Sequence, residues 1–199
     1  MKRLFSIIAF AVICLASILA GPFGLDMGMT LDQIRDATGH DVVPSENSPN
    51  LYYAIPAKGH PAFDSYLVQV SPKTGLYYIK AIGKDISTNR YGLSIQTAFD
   101  NLKASIEKAY GPSKSEDLLM SKSIWNEPRD WMMGLLKKER YLDADWDKKD
   151  GANLPENLAS IFLMAHASST EEGWIGLEYY FSNYEEAKAE IKASTDSVF

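Results

Sequence analysis

The chain has 199 residues, of which 46% are hydrophobic and 12% aromatic, and a formal net charge of −6. This length and apolar content suit one compact domain with a sizeable core, and exclude a disordered or low-complexity chain. The acidic balance disfavours nucleic-acid binding and docking to anionic membranes, both of which need clustered Lys and Arg.

The first twenty residues have the form of a secretory signal peptide. Met1-Lys2-Arg3 supplies a basic start, the run from Leu4 to Ala20 is uncharged and apolar, and Ala20 offers a small residue to the peptidase. Cleavage there leaves residues 21–199 as the working chain, in the periplasm or outside the cell, with no stable membrane insertion. It also removes Lys2, Arg3 and Cys14, the only cysteine, which takes the net charge to −8 and leaves no disulfide or thiol chemistry. Three alternatives stay open: cleavage after Gly21, a retained anchor at the lower length limit for spanning a bilayer, and lipid attachment at Cys14. Cys14 follows the bulky Ile13 inside the apolar run, which argues against lipidation.

Residues Met29 to Gly39 predict a short helix. Thr30 and Gln33 form a T-x-x-Q capping box, Met29 and Ile34 occupy the staple positions, Ile34 and Ala37 face inward, and Gly39 closes it. Strands follow at 51–55, 66–70 and 76–82, the last two joined as a hairpin through Ser71-Pro72-Lys73-Thr74-Gly75. Gly92-Leu93-Ser94 repeats the earlier Gly-apolar-Ser/Thr start, and Ile95, Ala98, Phe99, Leu102, Ile106 and Ala109 give a long amphipathic helix ended by Gly111-Pro112. A short strand near 123–125 and a helix over 128–142 come next, with Trp131, Leu135, Leu136 and Leu142 on its buried side. A second hairpin spans 158–167 and 174–181, with Ile175, Leu177, Tyr179 and Phe181 on one face, and a final helix begins near Ser182 or Asn183. The expected fold is α+β: an antiparallel sheet of about five to seven strands covered by helices, in one domain over 21–199. Two unequal helix-plus-hairpin halves, 21–90 and 91–199, suggest an internal duplication.

The stretch Gly28-Met29-Thr30-Leu31-Asp32-Gln33-Ile34, with Gly39 following, resembles the G-M-T-x-x-Q start of small outer-membrane assembly lipoproteins and of the β-lactamase-inhibitor-protein-like fold. Phe23-Gly24-Leu25 and Met27-Gly28-Met29 also resemble the opening of uncharacterised exported bacterial proteins. The resemblance implies an exported, non-enzymatic α/β module that binds other proteins, and it carries over no binding residues.

Chemistry-bearing residues are sparse. The densest polar run, Asp143 to Gly151, places Asp143, Asp145, Asp147 and Asp150 where they could converge on Ca²⁺. The twelve-residue calcium-loop template fails, since Lys148 falls at its glycine position, and the expectation is a solvated acidic loop. His40, His60 and His166 lack zinc spacing; the first two fall in turns, and His166 sits in an apolar strand as a buried, hydrogen-bonded ring. No G-x-S-x-G nucleophile elbow is present. A carboxylate pair drawn from Glu127, Glu139, Glu178 and the aspartates stays open, because sequence does not place them in space. No cofactor is implied.

Tyrosine pairs recur on strands at Tyr52-Tyr53, Tyr77-Tyr78 and Tyr179-Tyr180, and alternation turns one ring of each pair outward. Tyr53, Tyr78, Trp174 and Tyr180 are thus candidates for an interaction surface, the competing expectation being that the terminal helix covers them. The favoured function is an exported non-enzymatic protein-binding module: an inhibitor, an immunity-like protein or an envelope accessory factor with a basic protein partner. The alternatives are an exported carboxylate-dependent glycan hydrolase and a periplasmic carrier of small ligands.

Overall fold

The computed structural model describes residues 21–46 and 48–196; the expected signal peptide, with Cys14, lies outside the described residues. The chain runs α1 (Leu31–Thr38), β1 (Val43–Pro44), β2 (Leu51–Ala54), β3 (Phe63–Ser71), β4 (Gly75–Gly83), β5 (Ile86–Ser87), α2 (Leu93–Tyr110), β6 (Lys114–Leu119), α3 (Trp131–Leu136), β7 (Arg140–Asp147), β8 (Leu158–Ala167), β9 (Glu172–Phe181) and α4 (Tyr184–Asp196). All nine strands join one antiparallel sheet in the order β1-β2-β3-β4-β9-β8-β7-β6, with β5 added to β9. The order is symmetrical about the β4–β9 junction. The α+β class holds, with more strands than the five to seven expected.

The core lies on one face of this sheet. Val68 and Val70 of β3, Ile79 and Ala81 of β4, Ile161 and Leu163 of β8, Ala144 and Trp146 of β7, and Ile175, Leu177, Tyr179 and Phe181 of β9 point to it, and α2 and α3 pack over it. Ile95 and Phe99 of α2 and Met132 of α3 are fully enclosed there. Trp146 is completely buried, and its indole N–H donates to the Gly111 carbonyl at 3.1 Å, so its one polar atom keeps a partner. Among the described residues, α4 is the helix that packs on the opposite face, against β3 and β4.

Three one-residue bulges set which side chain reaches which face. Phe63 pairs with Gly83 and Ser65 with Ile82, Gln69 with Tyr78 and Val70 with Leu76, and Leu158 with Phe181 and Ser160 with Tyr180, so Asp64, Tyr77 and Ala159 are the extra residues. Each reverses the alternation, because a strand's side-chain period is two. Leu76 and Ile79 therefore both face the core, and Tyr77 and Tyr78 both face α4.

Helix α1 begins as the sequence predicts, with the reciprocal Thr30–Gln33 box and Gly39 in the left-handed conformation. Its inward pair is Ile34 and Thr38; Ala37 is exposed. In α2 the expected Ser94 cap lies inside the helix. Gly92 precedes the first turn, and the Ser94 N–H finds the Thr88 hydroxyl at 3.1 Å. Ala109, expected inward, faces solvent.

The region 114–147 departs most from expectation. The polar segment 114–119 is an edge strand, residues 123–125 form no strand, and the expected helix 128–142 is a 3₁₀ turn at Pro128–Asp130 followed by the short α3. Lys138, at φ 57°, turns the chain out of the helix. Leu142 is buried from β7 instead. The presumed acidic loop is that strand: Leu142, Ala144 and Trp146 face the core while Asp143, Asp145 and Asp147 face away, and only Lys148–Asp150 turns.

The junction of α2 and α3 depends on Gly92. At φ +72° it occupies the left-handed region, and a Cβ there would lie 2.1 Å from Cε3 of Trp131. The Trp131 indole is also held by its hydrogen bond to Asp117, with Arg140 above the ring. Gly92→Ala is expected to destabilise the protein by about 2–4 kcal/mol, from left-handed strain and displacement of Trp131 together, as measured by urea unfolding.

Candidate functional site

The face of the sheet opposite the core is the candidate site. Register defines a row across it: Tyr53 of β2, Leu67 of β3, Lys80 of β4, Glu178 of β9, Phe162 of β8, Asp145 of β7 and Lys114 of β6. Beside it run Ile82, Gly176, Met164, Asp143 and Glu116. At about 4.8 Å between neighbours, seven strands make a surface roughly 30 Å wide. Leu67, Ile82, Phe162 and Met164 are half-buried, while Tyr53 is 42% exposed.

A charged pair sits in the middle of this surface. The Lys80 ammonium lies 2.8 Å from Glu178 Oε1, and the Tyr180 hydroxyl donates to Glu178 Oε2 at 2.6 Å. The Glu178 side chain is only 14% exposed. Burial pushes its carboxyl upward, but the bonds from Lys80 and Tyr180 outweigh it and leave the group below its ordinary range. Glu178 is thus held as an anion between Lys80 and Tyr180.

Next to the pair, His166 and Trp174 face each other across β8 and β9 and stack at 3.9 Å with an interplanar angle of 19°. His166 is half-buried and held by this ring contact. Burial, with the positive charge of Lys80, lowers its pKa to about 4. The imidazole is neutral at pH 7, so the stack is an uncharged aromatic platform.

The β6–β7 end of the surface is acidic. Asp143 is raised by burial and by the charges of Glu116 and Asp145. Asp147 is lowered by the Lys149 N–H and ammonium, which hold it across the turn. The proposed calcium set does not come together: Asp143, Asp145 and Asp147 are spread along one strand face at about 6.8 Å intervals, and Asp150 lies in the turn that follows. Among the described residues no group of three or more His, Cys, Asp or Glu is placed to hold a metal ion.

The four aromatic candidates divide. Tyr53 and Trp174 belong to the open surface. Tyr78 is buried and Tyr180 half-buried, and they form a second apolar cluster with Tyr77, Tyr184, Ala187 and Ile191 beneath α4. Tyr78 keeps the outward side that alternation gives it but is covered by α4, and the bulge at Tyr77 turns the second ring toward that helix as well. Helix α4 is fastened by Glu190, whose carboxylate accepts from the Ser71 and Thr74 hydroxyls and the Lys73 and Thr74 N–H groups at 2.8–3.0 Å. Desolvation opposes its ionisation, yet these four donors bring its pKa down to about 2.

Leu67, Lys80, Ile82, Phe162 and Met164 are among the surface residues that the sequence pattern did not single out. Their signal was present: apolar side chains at Leu67, Phe162 and Met164 on strand positions that should be polar if water were their only neighbour. His40 and His60 are exposed outside the strands, His60 sharing a groove with Tyr53. The most apolar groove elsewhere, about 350 Å³, lies between α2 and the ends of β4 and β5, lined by Ala62, Ile86, Ala98, Leu102 and Ile175. It is open to solvent, unlike the enclosed cavity of a lipid carrier. No helix among the described residues is long and apolar enough to cross a membrane. No protein-family model, curated protein or solved structure matches the chain.

The lowered pKa of His166 has a consequence for stability. The unfolded imidazole titrates near 6.5 and the folded one near 4, so the unfolded chain takes up the proton first and stability falls with pH across that window. His166→Gln is expected to flatten the loss between pH 6.5 and 4 by up to about 2 kcal/mol, seen as converging urea midpoints of the two proteins at low pH. Glu190 acts below that window. As a carboxylate with a depressed pKa, it contributes stability above its ordinary value and loses it as pH falls toward 2. Glu190→Gln should raise amide exchange in α4 at pH 7 by about tenfold and leave the core strands protected.

Proposed function

We propose that this is an exported, non-enzymatic protein-binding module, and that the open sheet face is its docking surface. One observation carries the reading: a broad face bearing Tyr53, Leu67, Phe162, Met164 and the His166–Trp174 stack has no covering helix other than α4 among the described residues. Aromatic and aliphatic anchors around a fixed ion pair are the composition of protein interfaces. Glu178, held ionised by Lys80 and Tyr180, suits recognition better than proton transfer. The acidic edge formed by Glu116, Asp143 and Asp145 calls for Lys or Arg on the partner, in keeping with the net negative charge. The signal-like leader and the G-M-T-x-x-Q helix start support an envelope location and the classes of inhibitor, immunity-like protein or envelope accessory factor.

The test is site-specific photocrosslinking in producing cells. A photoreactive residue at Leu67 or Phe162 should yield one identified protein adduct, while the same residue at the exposed Ala104 of α2 should not. Tyr53→Ala combined with Phe162→Ser should weaken binding of that protein at least tenfold, about 1.4 kcal/mol, with only a small change in thermal midpoint. Adducts from α2 alone, or glycan cleavage abolished by Glu178→Gln, would overturn the proposal.

A further inference from the structure

The segment 21–26 is a tight turn pressed against the core. Pro22 and Leu25 are buried, and Gly24 and Leu25 donate their N–H groups back to the carbonyls of Gly21 and Pro22 at 2.9 and 3.1 Å. Phe23 takes φ 59°, a left-handed conformation that is strained for a side chain of this size. It is held there because its ring meets Tyr66, Tyr179 and Phe63 edge-on, with centroids at 4.8, 5.6 and 6.1 Å. The turn is therefore fixed by packing, and so is the position of the first nitrogen in it.

That nitrogen, of Gly21, lies 2.7 Å from Oδ1 of Asp26. Residue 21 must also lack a side chain, since a Cβ would fall 2.1 Å from the Leu25 carbonyl oxygen and 3.0 Å from Asp26 Oδ1. A carboxylate placed against one backbone nitrogen, in a turn that admits only glycine, is a receptor for a positive charge on that nitrogen. A charge-assisted bond to an ammonium is about twice as strong as one to a neutral amide.

We propose that Gly21 is the amino terminus of the working protein and that Asp26 binds its α-ammonium group. The step that creates it is hydrolysis of the Ala20–Gly21 peptide bond by an export peptidase. Water adds across the C–N bond, the carbonyl carbon of Ala20 leaves as a carboxylate, and the Gly21 nitrogen carries away the hydrogens as –NH₃⁺. Processing thus gives the turn an ion pair that the precursor cannot make, and the mature chain is more firmly closed than its precursor. The inference is independent of the docking surface, which lies on the other side of the sheet, so either can fail alone.

Amino-terminal sequencing of the exported protein should read Gly21-Pro22-Phe23; an intact Met1, or any other start, overturns the proposal. The role of the charge is tested on protein beginning at Gly21, with its amino group free or acetylated, in the native sequence and in Asp26→Asn. Acetylation should lower the thermal midpoint by about 2–4 °C at pH 7 in the native sequence and have no effect in Asp26→Asn. The ordinary α-amino pKa is about 8 and the pair raises it, so the stabilisation is complete below pH 8 and disappears as pH climbs past the raised value. The free and acetylated proteins should therefore converge at high pH. An equal effect of acetylation with and without Asp26, or a difference that persists at high pH, overturns the assignment.

Discussion

A β-strand presents alternate side chains to opposite faces, and one residue gained or lost sends every later side chain through the sheet. The protein is built around three places where that rule is reset. Asp64, Tyr77 and Ala159 are each an extra residue opposite a continuous partner strand. Without the reset at Tyr77, either Leu76 or the run of Ile79 and Ala81 would leave the core. With it, two consecutive tyrosines turn to the far side, where they need a cover. Helix α4 exists to supply that cover, and the Glu190 carboxylate fastens it to the very turn that joins β3 to β4.

The division of labour between the two faces follows. The core face carries the large enclosed residues and the two helices that shield them, and its needs are satisfied by packing alone. The other face carries half-buried apolar side chains and an ion pair placed where neither is required for the core. A fixed Lys80–Glu178 pair stabilises little in itself, because removing both groups from water offsets much of their attraction. In the proposed docking role its value lies in specificity: a partner that offers the pair no polar groups strips it of water without replacing that solvation.

Much of this was legible in the sequence. Helix α1 with its capping box, the β3–β4 and β8–β9 hairpins and the inward set of β9 followed directly from spacing. The failures have physical causes. Asp143, Ala144, Asp145, Trp146 and Asp147 read as a polar loop by composition, whereas their alternation is that of a strand with one buried face. Lys114 to Asp117 gave no strand signal because an exposed edge is stabilised by its neighbour's hydrogen bonds rather than by its own side chains. Tyr77 was misplaced because a bulge depends on the partner strand and leaves no mark in the sequence, while Tyr78, outward as alternation requires, is covered by α4. Phe162 and Met164 were passed over because apolar residues in a strand suggest burial, and nothing local says which side the helices will take.

The symmetrical strand order leaves the sheet with two free margins, and both are closed to additional strands. One is β1, only two residues long and ending in Pro44, which has no N–H to offer. The other is β6, where Lys114, Glu116 and Asp117 line the margin with charge. A protein with so large a sheet could capture partners, or copies of itself, by simple backbone pairing, which is blind to sequence. Here the short β1, Pro44 and the charges of β6 disfavour that route, which leaves the side chains on the face as the means of the proposed recognition.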